Sequence, residues 1–178
     1  SFRLIYKNIG VAKSFNQLEN TTIKSGYKAH ASMEIYDIIF HYPFDKFSLT
    51  FSKNSMILTS ENKTTITDKS NLYNLSKFVY SINNEELKGE EIIISSNYKL
   101  PTSDTFYFSS AVINLKNRIF LSKDIELKVH KGIFGNENND PRIKGISAIG
   151  NDDKTTINKG IFTSCKKDDN CPPWSISA

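Results

Sequence analysis

Apolar and polar residues alternate in short runs along this chain, and the runs are separated by turn-forming residues. Phe47, Leu49 and Phe51 alternate with Ser48, Thr50 and Ser52, and Met56 and Leu58 follow, then Thr64 and Ile66. Phe78, Tyr80 and Ile82 share one parity, as do Ile92 and Ile94. A period of two is the mark of a strand with one buried and one wet face. The clearest run is 119–129. Ile119, Leu121, Ile125, Leu127 and Val129 fall on one parity, and Phe120, Ser122, Asp124, Glu126 and Lys128 on the other. In 105–115 the apolar parity moves from Phe106 and Phe108 to Ala111, Ile113 and Leu115. A β-bulge near Ser109-Ser110 is expected there, because one extra residue turns every later side chain to the opposite face.

Turn signals stand at Lys53-Asn54, Glu61-Asn62, Lys69-Ser70-Asn71, Asn83-Asn84, Asn97, Lys116-Asn117, the Gly135-to-Pro141 stretch and Asn151-Asp152-Asp153. Short apolar runs at this cadence predict an all-β sandwich, jelly roll or barrel whose sequential strands are neighbours. Residues 28–40 are open to two readings. Met33, Ile35, Ile38 and Ile39 fit a bent strand or one face of a short helix near the N-terminus, and Pro43 ends the segment either way.

Composition sharpens the fold class. The 178 residues include 12 Phe and 8 Tyr, with many Ile and Thr and little Ala, a bias toward pleated, half-buried surfaces. A chain of this length buries roughly 70% of the surface exposed when unfolded, enough for one core without staples. We read 1–178 as a single domain, cut at both ends from a longer chain. The net charge of +4, from 23 basic and 19 acidic residues, describes a solvated Lys-rich exterior. No block of basic residues interleaves with aromatics, so nucleic-acid binding is not expected.

Chemistry-bearing motifs are sparse. His30, His41 and His130 are scattered, with no metal-ligand spacing to one another or to Cys. Glu85-Glu86, Glu90-Glu91 and Asp152-Asp153 are adjacent in sequence, and on a strand such pairs point to opposite faces. No catalytic centre, metal or cofactor is expected. Cys165 and Cys171 are the only cysteines. In an oxidising compartment they bridge locally or each to a partner elsewhere; in the cytosol they remain thiols. A local bridge closes a short loop worth about 2.4 kcal/mol in the chain-entropy model.

The segment Asn158 to Ala178 runs through Phe162, Thr163, Cys165, Cys171, a Pro-Pro pair and Trp174. It resembles the end of the periplasmic domain of the lipopolysaccharide-assembly outer-membrane protein family (LptD, or organic solvent tolerance protein). Ala111–Lys116, Asp124–Lys128 and Asp140–Gly145 are similar to that family too, and the likeness fades toward the first 44 residues. The resemblance implies an open antiparallel β-jelly roll of the LptA-like, "β-taco" kind on the periplasmic face of the Gram-negative outer membrane. The family's domain is non-enzymatic. It receives lipopolysaccharide from a periplasmic jelly-roll bridge by edge-strand pairing and passes it to its own C-terminal β-barrel, with a plug lipoprotein, expected after 178. Phe47, Leu49, Phe51, Phe106, Phe108, Ile119, Leu121, Ile125, Leu127 and Val129 are the expected lining of a groove for lipid A acyl chains. In the family the cysteine matching Cys165 pairs in or after the barrel. Cys171 is a departure, since a Cys165–Cys171 disulfide would remove that tether. The alternative function is a carbohydrate-binding or adhesin-type β-sandwich, displaying Trp174 with Tyr98 or Tyr107.

Overall fold

The computed structural model describes residues 57–61, 63–135 and 139–165 in full, together with the backbone of the strands outside those ranges. The chain is all-β. Its described strands are β1 (Phe2–Ile5), β2 (Thr22–Lys24), β3 (Ser32–Ile35), β4 (Ile38–His41), β5 (Phe47–Ser52), β6 (Ser55–Ser60), β7 (Thr64–Thr67) and β8 (Leu72–Leu75). They continue with β9 (Lys77–Ser81), β10 (Glu86–Ser96), β11 (Asp104–Asn114), β12 (Phe120–Lys128), β13 (Arg142–Gly150), β14 (Thr155–Asn158), β15 (Ile161–Thr163) and β16 (Ile176–Ser177). A 3-10 turn at Lys131–Phe134 is the only helical element among the described residues. The helical reading of 28–40 is therefore corrected: β3 and β4 pair antiparallel, with Ile35 opposite Ile38 and Met33 opposite Phe40. Cross-strand pairing of two β-branched segments outweighs the weak helical spacing.

All these strands join one antiparallel sheet that divides into two halves. One half runs β1-β3-β4-β7-β8-β10-β11-β12-β13-β15-β16, and the other runs β2-β5-β6-β9-β10-β11-β12-β13-β14. The long strands β10 to β13 belong to both. The division is a crease at which the ladder is interrupted on every strand. Between β10 and β11 the pairing passes from Glu90–Ser110 to Ile92–Phe108, skipping Glu91 and Ser109. Between β11 and β12 it skips Ser109 and Asp124, and between β12 and β13 Asp124 and Ile146. On β14 and β15 the same offset leaves Lys159 in the gap, and on the other side it leaves Ser76 between β8 and β9.

Each strand loses one pairing and none gains a residue, so the register is the same on both sides of the crease. The feature expected near Ser109 is real as a switch of face, but it is not a bulge, which would put two residues opposite one. It is made by left-handed residues on alternate strands: Glu91 (φ 49°), Asp124 (φ 49°) and Lys159 (φ 51°). The side-chain parity turns over at each. On β10 the buried positions go from Leu87 to Ile92 and Ile94, and on β12 from Phe120 and Ser122 to Ile125. Hydrogen bonds hold the crease. The Ser109 hydroxyl donates to Asp124 Oδ2 at 2.8 Å, the Ser76 hydroxyl donates to Glu91 Oε2, and the Ser76 N–H donates to Glu90 O at 3.1 Å.

The two halves pack face to face on one core. Leu58, Tyr80, Leu87, Ile113 and Phe120 come from one half, and Ile66, Tyr73, Ile92, Phe108 and Ile125 from the other. Phe120 contacts the rings of Phe106 and Phe108 across the layers, at centroid distances of 6.0 and 5.2 Å. This is a jelly-roll-like arrangement of an open sheet folded onto itself. Among the described strands its edges are β1 and β16 in one half and β2 and β14 in the other.

Candidate functional site

Register places an unbroken row of apolar residues across the larger half. Leu4 stands opposite Met33, Met33 opposite Phe40 and Phe40 opposite Ile66. The row continues through Tyr73, Ile94, Phe106, Leu127, Ile143 and Phe162 to Ile176. It crosses all eleven strands of that half. The neighbouring row, one residue over and on the opposite face, is Thr65, Asn74, Ile93, Tyr107, Glu126, Lys144 and Ile161. That row is mostly polar and carries a Lys144–Glu126 ion pair at 3.2 Å. The period of two thus sorts the strands from β7 to β15 into one greasy and one wet face.

Exposure rises along the apolar row. Ile66 is 0% exposed, Tyr73 2% and Ile94 7%. Phe106, Leu127, Ile143 and Phe162 are half-buried, and Ile176 is 61% exposed. The cause lies in the opposing half. There the facing row ends in Phe120, Gly150 and Thr155, so bulk disappears where β13 and β14 lie. A Cβ on Gly150 would sit 2.9 Å from Phe120 Cζ and 2.8 Å from Lys154 O, so the close approach requires glycine. The 3-10 turn supplies one further apolar group at the exposed end: Phe134 meets Phe162 edge-on at 6.3 Å.

Where the row passes from buried to half-buried, a slot of about 200 Å³ opens between the layers. Its walls are Tyr73, Ile94 and Phe106 from one half and Ile113 and Phe120 from the other, and its rim is Ser70, Asn71, Asn97, Arg118, Asn151 and Asp152. The slot is smaller than the roughly 300–1,000 Å³ of an ordinary small-molecule pocket. At the rim Arg118 Nη1 donates to Asp152 Oδ2 at 2.6 Å. Its Nε lies 4.0 Å from Asp68 Oδ2, and these carboxylates hold the guanidinium above its usual pKa despite partial burial. The Tyr73 hydroxyl donates to Asp68 Oδ2 at 2.9 Å. Burial, then the adjacent Asp68 charge, raises the Tyr73 pKa far above its usual value.

The groove lining expected from sequence divides. Phe106 and Leu127 lie in the apolar row. Phe108 and Ile125 are core, 3% and 2% exposed. Val129 follows β12 half-buried, its N–H donating to Pro141 O at 3.0 Å. Ile119 and Leu121 do not share that face. Ile119 is exposed on the turn before β12 and Leu121 on the outer surface of the smaller half. The reason is Asp124, whose left-handed backbone inverts the parity of β12, so an alternation counted straight through 119–129 joins two faces. Leu121 instead lies in an outer depression of about 690 Å³ with Val79, Val112, Lys77, Lys88 and Lys123. Phe47, Leu49 and Phe51 are placed by backbone pairing with Ser60, Leu58 and Met56, and their side chains lie outside the described residues. So do Cys171 and Trp174. The members of the row that sequence reasoning passed over include Ile143, Phe162 and Ile176; only the register, which spans the sheet, collects them.

No protein-family model and no curated protein matches the chain.

Proposed function

We propose that this chain is a non-enzymatic lipopolysaccharide-transfer module on the periplasmic face of a Gram-negative outer membrane. In this reading a periplasmic jelly-roll bridge delivers the lipid by pairing with an edge strand. The acyl chains then move along the apolar row and leave toward the chain's own C-terminal β-barrel and its plug lipoprotein. One observation carries the reading: the apolar row from Ile66 to Ile176, which passes from buried through half-buried to exposed at one edge. Each buried CH₂ gains roughly 0.8 kcal/mol, so acyl chains are driven onto such a surface. Apolar contact lacks direction, so no single position traps them. The resemblance of Asn158–Ala178 to the lipopolysaccharide-assembly family supports the same ligand. A local Cys165–Cys171 bridge belongs to this proposal, and it fits an oxidising periplasm.

The carbohydrate-binding alternative has less support. Its display aromatics Tyr98 and Tyr107 carry Lys99 and Lys128 ammonium groups over their rings, at 5.4 and 5.1 Å, where a sugar face would stack.

The test is site-specific photocrosslinking. Crosslinkers at Leu127, Ile143 and Phe162 are expected to label lipopolysaccharide, and crosslinkers at Val112 and Lys123 on the outer surface are not. Labelling confined to the outer positions, or none at the inner three, overturns the reading.

A further inference from the structure

Opposite the crease, beyond the packed core, the Arg118 side chain reaches from one layer to the other. Arg118 sits on the β11–β12 turn of the smaller half, and Asp68 and Ser70 sit on the β7–β8 turn of the larger half. Arg118 Nη2 lies 3.5 Å from Ser70 Oγ, and Nε lies 4.0 Å from Asp68 Oδ2. Both ends of this contact are anchored. Asp68 Oδ1 accepts the N–H groups of Ser70 and Asn71 at 2.7 and 2.6 Å. The Arg118 turn is fixed by Asn114 Oδ1, which accepts from Lys116 N and Asn117 N at 3.1 Å each, and Arg118 itself is left-handed (φ 57°). Asp152 then aims the guanidinium from its own half. The slot between Tyr73, Phe106 and Phe120 lies directly beneath.

We propose that Arg118 is a clasp that holds the two layers together over this slot, and that its release widens the slot into the half-buried stretch of the apolar row. The inference rests on the lipid-transfer reading for its use, since an acyl chain entering the buried part of the row must part the layers here. Closure by one fork-shaped cation is reversible. A guanidinium exchanges carboxylate for water at modest cost at a partly exposed site. The apparent affinity for an apolar ligand scales with the fraction of molecules in which the slot is open.

The experiment uses 1-N-phenylnaphthylamine, a neutral probe that fluoresces in apolar surroundings, titrated into the whole chain. Arg118→Ala is expected to bind it about threefold or more tightly than the unmodified protein, with an unchanged far-ultraviolet circular dichroism spectrum. Asp152→Asn, on an exposed turn where folding is safe, is expected to shift affinity in the same direction by a smaller factor. Unchanged affinity in folded Arg118→Ala overturns the clasp. If that variant does not fold, unchanged affinity in Asp152→Asn overturns it. Tighter probe binding without lipopolysaccharide crosslinks at Leu127, Ile143 and Phe162 would leave the clasp standing and remove the lipid reading.

Discussion

The Phe120 ring lies 5.2 Å from the Phe108 ring, and the two residues belong to opposite halves of the folded sheet. Both are almost fully buried. This contact, with Phe106 alongside, fastens the layers between the crease and the slot. Removing a buried phenyl ring from such a place costs about 3–5 kcal/mol, from lost transfer energy plus the cavity left behind. Phe120→Ala is therefore expected to lower the urea midpoint strongly. Phe120→Leu is expected to cost less than half as much, because it keeps most of the volume. Equal stability of Phe120→Ala and the unmodified chain would mean that the layers do not pack as described.

The crease makes a separate prediction at Lys159. A non-glycine residue in the left-handed region costs roughly 1–2 kcal/mol, and a β-branched one costs more. Lys159→Val is expected to lower stability by about 1–2 kcal/mol. Lys159→Gly is expected to remain within about 0.5 kcal/mol of the parent, because relief of strain offsets the added chain entropy. At this chain length about 1 kcal/mol moves the melting temperature by roughly 2–4 °C, so the two variants separate in a thermal scan. If they melt together, the φ at Lys159 is not left-handed.

The same crease explains what can be read from the sequence and what cannot. The switch within 105–115 is visible because apolar residues flank it on both sides: Phe106 and Phe108 before, Ala111 and Ile113 after. On β12 the switch is hidden. Ile119 and Leu121 continue the parity of Ile125 and Leu127, and the inversion sits in Lys123-Asp124, where polar residues report nothing about face. The all-β class is legible because alternation is a local property of each strand. The apolar row is not, because it is assembled from one residue per strand and depends on ten registers that only tertiary pairing sets. Tyr73 and Ile143 carry no local signal of belonging to one surface. Arg118 reads as an ordinary basic residue on a turn until Asp68, distant in sequence, is brought to it.

Tyr73 gives the fold a defined alkaline weakness. Its folded-state pKa is raised, first by burial and then by Asp68, while in the unfolded chain it is about 10. The folded state therefore retains its proton where the unfolded state has lost it. The sign follows from linkage: this contribution is fully present below about pH 10 and is lost as the pH rises above it. Urea midpoints are expected to be flat in this component to about pH 9.5 and to fall beyond it. Tyr73→Phe is expected to lose about 1 kcal/mol at neutral pH, from the hydroxyl's bond to Asp68, and to show a shallower alkaline decline. A variant with the parental slope above about pH 10 would place the titration on another group.

The gradient of exposure along the apolar row predicts an order as well as a set of contacts. Ile94 and Tyr73 are buried beside the narrow slot, whereas Leu127, Ile143 and Phe162 are only partly covered. Lipid added in solution, with no bridge to deliver it, loads from the exposed edge, against the proposed direction of transfer; it meets Phe162 first, then Ile143, then Leu127, and reaches Ile94 only if the layers part. Crosslinking yields on short exposure to lipopolysaccharide are therefore expected to decrease in that order, with Ile94 lowest. Arg118→Ala is expected to raise the Ile94 yield selectively, because it acts on the slot and leaves the open end unchanged. A polar group in the row should act as a break. Ile143→Asp puts a carboxylate on the half-buried surface, where contact with acyl chains would strip its water at a cost of several kcal/mol. Labelling should persist at Phe162, on the entry side of the break, and fall at Leu127 beyond it. Equal loss at both positions would show that the row binds as one patch and does not conduct.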